Sequence, residues 1–219
     1  MLTGRRRQLI EHSIRLGDTD VQCIESDNSD ERIFILLHGA HFNSTIWAKV
    51  NTLRLLEAYS VCFLAPDMPG FGRTPKSRVY SEGQGLNRLI LDICSHKSAK
   101  RAVLMGASMG GGIALSFARE HPSIIDGLFL IGTVGLDAPG VIDFLSLINT
   151  PVELVWGSED SVVPVSRARE VVKKLPRAEL VVIDGAAHPA YLSSPEVFNS
   201  HLERWILANG FARRHPVSP

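Results

Sequence analysis

Ser108, Asp160 and His188 are the residues whose types and spacing could do chemistry. Ser108 stands in Gly106-Ala107-Ser108-Met109-Gly110, a G-x-S-x-G pattern. That pattern gains meaning only between a buried strand and a helix. Here AVLM precedes it and GGIALSFARE follows. A strand that turns into a helix so sharply holds its serine in a strained conformation, and side chains two residues before or after would collide with backbone. Glycine at 106 and 110 fits that demand. The rival reading of Ser108 is an ordinary helix N-cap in a glycine-rich turn.

A serine hydroxyl is a weak nucleophile and needs a neighbouring base. In this motif the partners follow in the order serine, acid, histidine. His188 comes directly after the apolar run LVVID, in a loop that can reach back to the serine; His201 and His215 lie on or beyond the last helix. Asp160 follows the run VELVW and would orient the imidazole through its far ring nitrogen. Asp137, after LFLI, is the rival acid, and Glu159 is a lesser one. The chemistry implied is acyl transfer through Ser108. A tetrahedral intermediate then needs N–H donors for its oxygen. The Met109 amide, at a helix N-terminus, is one; the Ala40 amide, in the loop His38-Gly39-Ala40-His41, is the other. His41 is a candidate for the pocket border. His38 and His41 lack a third ligand at metal spacing, so no metal and no cofactor is implied.

These residues must be positioned by strands alternating with helices, which implies a mostly parallel central sheet with helices on both faces. Residues 9–16 and 20–25 read as an opening hairpin around Gly17-Asp18-Thr19. Buried strands are expected at 32–37, 61–65, 101–105, 128–131, 152–156 and 180–183. Helices are expected at 45–58, 82–97, after the serine to His121-Pro122, and at about 166–174 and 195–208. Residues 213–219 read as a frayed tail. The connection from Leu136 to Pro151 holds at most two helical turns over Val141 to Ile148, so no cap domain is expected and the site should be shallow.

The chain has 219 residues, 45% of them apolar, with 23 basic and 23 acidic side chains. One α/β domain over residues 1–219 is the simplest organisation. The balanced charge lacks the basic excess of a nucleic-acid surface, so no nucleic-acid partner is expected. Arg5-Arg6-Arg7 reads as a solvated edge. No apolar run is long enough to span a bilayer and no leader pattern is visible, so a cytoplasmic location without membrane attachment is expected. The odd set Cys23, Cys62 and Cys94 has neither metal nor redox spacing, and Cys62 reads as a core residue. Nothing specifies an oligomeric state.

The segments LLHGAHFNSTIW, APDMPGFGRTP, GASMGG, VWGSEDSVVP and GAAHPAYLSSPEVF span residues 36 to 198. Together they resemble successive landmarks of the α/β-hydrolase superfamily. Within it the chain resembles the lidless α/β-hydrolase-domain-containing protein 14, type B, group, from which it departs at Gly106, where that group has serine. The resemblance implies an α/β-hydrolase fold and hydrolysis of a small-molecule acyl ester, carried by Ser108, Asp160 and His188. It also implies a structural role for the turn Asp67-Met68-Pro69-Gly70-Phe71-Gly72. A serine at 108, where some enzymes of this fold use aspartate, favours acyl transfer. The alternatives are another acyl transfer on the same residues (amide hydrolysis, lysine deacylation, perhydrolysis) or a non-catalytic binding module.

Overall fold

The computed structural model describes residues 9–81, 83–175 and 177–212. The Arg5-Arg6-Arg7 cluster and the 213–219 tail lie outside them. An antiparallel hairpin of β1 (Ile10–Leu16) and β2 (Thr19–Glu25) opens the chain. Six strands follow: β3 (Arg32–Leu37), β4 (Phe63–Pro66), β5 (Arg101–Ala107), β6 (Ile125–Ile131), β7 (Val152–Gly157) and β8 (Ala178–Ile183). They form one eight-stranded sheet in the order β1-β2-β4-β3-β5-β6-β7-β8. β3 through β8 run parallel. The chain turns left from β3 to β4, then jumps back across β3 to β5. Sheets of this kind bind ligands outside the carboxyl ends of the strands at such a reversal. The residues after β3 and β5, including Ala40 and Ser108, therefore share the favoured crevice.

The central strands read as unbroken apolar runs because both faces are covered. Side chains alternate across the sheet. Ile33, Ile35, Leu37, Leu104 and Leu128 face α3 (Gln84–His96), α4 (Met109–Glu120), α5 (Val141–Leu147) and α6 (Val165–Val172). Phe34, Leu36, Val103, Met105 and Phe129 face α1 (Thr45–Lys49), α2 (Thr52–Ala58), α7 (Ala190–Ser193) and α8 (Pro195–Ala208). On the second face Trp205 sets its ring edge-on to Phe129 and Phe34, with centroids 5.1 and 6.5 Å apart. Cys23, Cys62 and Cys94 are all buried free thiols, and burial pushes Cys23 up to about 12.

Several boundaries differ from the sequence reading. The expected helix over 45–58 is two helices, broken where Asn51 takes a left-handed conformation at φ 63°. Asparagine tolerates that region better than most residues. Trp47 and Leu53 still reach the same core, which is why the apolar spacing looked continuous. β4 starts at Phe63 rather than Val61, β6 starts at Ile125, and the short α7 was not foreseen. The β6–β7 connection carries only the seven-residue α5 and no cap domain.

β7 contains one buried ionisable residue, Glu153, which is 5% exposed. It pairs in register with Phe129 on β6 and Glu179 on β8. Burial, reinforced by Glu179, pushes its carboxyl from 4.5 up to about 7. The folded state therefore opposes ionisation. Stability from this position is complete below about pH 4.5, falls as pH rises toward about 7, and is flat above. Glu153→Gln should stabilise the protein by about 1–3 kcal/mol at pH 8 and change little at pH 4.5. Urea melts at the two pH values check this; equal effects at both would contradict it.

Candidate active site

Ser108 is the hinge between β5 and α4, at φ 49° and ψ −111°. Its amide donates to the Ile131 carbonyl at 2.8 Å, and its own carbonyl accepts from the Gly112 amide at 3.2 Å. Those bonds hold the strained residue from both sides. Its hydroxyl does not cap α4, although it occupies the N-cap position. The glycine requirement is met by close approach of backbone. A Cβ on Gly106 would lie 2.4 Å from the Gly110 carbonyl oxygen, and one on Gly110 only 2.2 Å from that of Leu37.

The acid and the imidazole come from adjacent loops after β7 and β8. His188 Nδ1 lies 2.7 Å from Asp160 Oδ2. The other carboxylate oxygen, Oδ1, accepts from the Val162 and Val163 amides at 2.9 and 2.8 Å. The Asp160 side chain is fully buried and His188 nearly so. A carboxylate fixed on three sides fixes the ring in turn, with Nδ1–H as donor and Nε2 left as the free nitrogen. The two loops are tied by the Glu159 amide, which donates to the Ala186 carbonyl at 3.0 Å. The rival acids are elsewhere: Asp137 pairs with Arg167 at the surface, and Glu159 is exposed.

Gly132 joins the pair to the serine. It follows Ile131, whose carbonyl holds the Ser108 amide. A Cβ on Gly132 would lie 2.8 Å from His188 Nδ1 and 3.1 Å from Asp160 Oδ2. The serine amide thus bonds the residue before Gly132, and the imidazole packs on Gly132 itself. No hydrogen bond joins Ser108 to His188 among the described residues; such bonds are often long before substrate binds.

The loop after β3 completes the site. His38 is fully buried. The Met68 amide donates to its Nε2 at 2.9 Å, so Nδ1 carries the proton and donates to the Gly39 carbonyl at 2.8 Å. Burial pushes its ring below the usual imidazole range, which keeps it neutral. Asp67 anchors the same region: Oδ1 accepts from the Ser44 amide at 2.8 Å and Oδ2 from the Arg73 amide at 2.9 Å. Ala40, Ser108 and Met109 line one cleft of about 430 Å³, together with apolar Leu86, Ile113 and Val134. Met109 begins α4, so its amide has no acceptor within the helix. His41 is exposed at φ 68° and is not among the residues lining the cleft. The sequence reading missed the tie made by His38, the close approach at Gly132 and the cleft wall from α3. Of these only Gly132, directly after an apolar strand, left a local signal.

Gly110→Ala should destabilise the fold by about 1–3 kcal/mol, because the backbone it meets cannot turn aside. Gly112→Ala, whose nearest contact is the Val134 side chain at 3.2 Å, should cost clearly less. Equal urea midpoints for the two variants would contradict the steric account.

Comparison with known proteins agrees with this architecture. A family model described as alpha/beta hydrolase fold matches residues 32–147. Protein ABHD14A of Danio rerio is 29% identical over 168 residues, covering 77% of this chain. The chain spans 62% of that relative's own length. A Rattus norvegicus relative named "Putative protein-lysine deacylase ABHD14B" is 26% identical over 170 residues, covering 77% of this chain and 80% of the relative. Among solved structures, a predicted CIB-like hydrolase from Thermoplasma acidophilum is 28% identical with a TM-score of 0.85. That match covers 91% of this chain and 98% of the other. With the elbow, the strand order and a family match over more than half its length in agreement, the chain belongs to the α/β-hydrolase fold family.

Proposed function

We propose that the protein is a serine hydrolase that cleaves short-acyl esters through an acyl-enzyme on Ser108. The observation that carries this reading is the bonded His188–Asp160 pair packed on Gly132, whose preceding residue Ile131 holds the amide of a strained, uncapped serine. His188 Nε2 takes the Ser108 proton as Oγ adds to the ester carbonyl carbon. Asp160 accepts from Nδ1–H and stabilises the imidazolium. The Ala40 and Met109 amides donate to the oxyanion, and the α4 N-terminus favours its charge. The imidazolium then protonates the departing alkoxide as the C–O bond breaks. Water, deprotonated by His188, releases the acid and restores the serine.

The short acyl preference rests on the cleft. Its walls are the loops at the sheet rim with α3 and α4, and no cap encloses a long hydrocarbon. A second reading, amide cleavage on an acylated lysine, is favoured by the activity for which the rat relative is named. It uses the same residues with an amine as leaving group. Both readings treat the protein as soluble in the cell interior; no helix among the described residues is long and apolar enough to cross a membrane.

Rates on acetate, butyrate and palmitate esters should fall with chain length, and a maximum at palmitate would overturn the preference. Acyl-lysine peptides in the same screen separate ester from amide cleavage. Ser108→Ala should lower kcat by roughly 10⁶-fold and abolish fluorophosphonate labelling. Asp160→Asn should lower it by roughly 10⁴-fold. Full activity in Ser108→Ala would remove the serine from the mechanism.

A further inference from the structure

A second cavity, of about 660 Å³, lies at the opposite end of the sheet from Ser108. It is bounded by the amino ends of β7 and β8 and by α8. Glu153 lines it, 5% exposed, and accepts no hydrogen bond from any described residue. Buried carboxyls are almost always paired, because an unpaired charge in apolar surroundings is costly. Among the described residues the groups facing Glu153 supply no hydrogen bond, although the Arg204 charge favours its carboxylate. Glu179, beside it on β8, carries the same charge. On α8, Arg204 turns its Nη2 to His201 Nδ1 at 2.7 Å, and burial keeps that imidazole below its usual range. Arg177, just before β8, donates to the Asn149 carbonyl. The rest of the wall includes Trp205, Val181, Ala178 and Ala208.

We propose that this cavity is a second ligand site that takes a small organic amine, its ammonium against the Glu153 and Glu179 carboxylates and its carbon chain along Trp205. Arg204 and Arg177 also line the wall but already donate to His201 and Asn149, so the group without a hydrogen bond is the Glu153 carboxyl, which an anion or an alkane cannot serve. An ammonium supplies a positive charge and up to three donors. Since burial pushes the Glu153 carboxyl up to about 7, the site is partly protonated near neutrality. Binding then takes the form of an exchange: the ammonium enters as a cation, the carboxyl gives its proton to the buffer, and a carboxylate–ammonium pair remains.

Calorimetric titration of the full chain at pH 6.5, in two buffers of different ionisation enthalpy, tests this with hexylammonium, hexanoate and hexanol. Hexylammonium should bind saturably at one site with release of up to one proton, and the other two should bind at least tenfold more weakly. Glu153→Gln should weaken hexylammonium at least tenfold and leave Ser108-dependent ester hydrolysis unchanged. Hexanoate or hexanol binding equally well, hexylammonium binding without proton release, undiminished binding to Glu153→Gln, or no binding at 50 mM would each overturn the proposal. An Arg204 side chain that reached Glu153 in solution would give the last result. If Glu153→Gln failed to fold, the three probes and the proton count on the unaltered protein would still decide.

Discussion

The contact between the first turn of α4 and the end of β3 is the constraint on which the molecule's carboxyl rim depends. Gly110 passes the Leu37 carbonyl so closely that a single methyl group would not fit. Because of that approach, β5 can turn into α4 within one residue, and Ser108 is held at the crest. The same approach sets the loop His38-Gly39-Ala40 against the elbow, so the Ala40 and Met109 amides border one cleft. His38 and Asp67 then tie this loop to the turns after β4. Precision at the rim is thus inherited from backbone packing in the middle of the sheet, a rigid origin for a site whose geometry must hold to fractions of an ångström.

Much of this was legible in the sequence because its signals are local. Both-face burial turns a parallel strand into an apolar run, so RIFILL, AVLM and VELVW stand out. The elbow glycines are two residues from the serine they serve. Asp160 and His188 each follow a strand directly, and the structure brings their side chains together. What escaped detection depends on a conformation or approach that side-chain periodicity does not encode. The left-handed Asn51 breaks a helix without interrupting its apolar face. Gly132 matters because two loops from distant parts of the chain converge over it. His38 resembled a metal ligand in isolation, and its role as a tie appears only with the Met68 amide beside it. Glu153 sits in a strand whose burial was foreseen, yet a carboxyl in that run drew no notice.

The two faces of the sheet carry different loads. The α3–α6 face is mainly aliphatic, and its α3 and α4 also form the cleft wall. The α8 face is aromatic, with Trp205 packed among Phe34, Phe129 and Phe211. Phe198, Leu202, Trp205 and Ile206 hold α8 against the sheet, and the recess lined by Glu153 lies beside it. β7 spans the molecule between these regions: Glu153 sits near its start, and Asp160 follows its end.

The brief passage from β6 to β7 also bears on what could cover the crevice. It leaves the sheet beside Ser108, returns beside Asp160, and packs Leu136, Val141 and Leu145 onto the α3–α6 face while residues 137–140 stay exposed. Lengthening such a segment carries a small entropic penalty, about 0.6 kcal/mol for each doubling. New sequence added there would arch over the crevice without altering strand register or the elbow. An insertion at the exposed residues 137–140 would therefore roof the crevice while leaving the elbow and the His188–Asp160 pair in place.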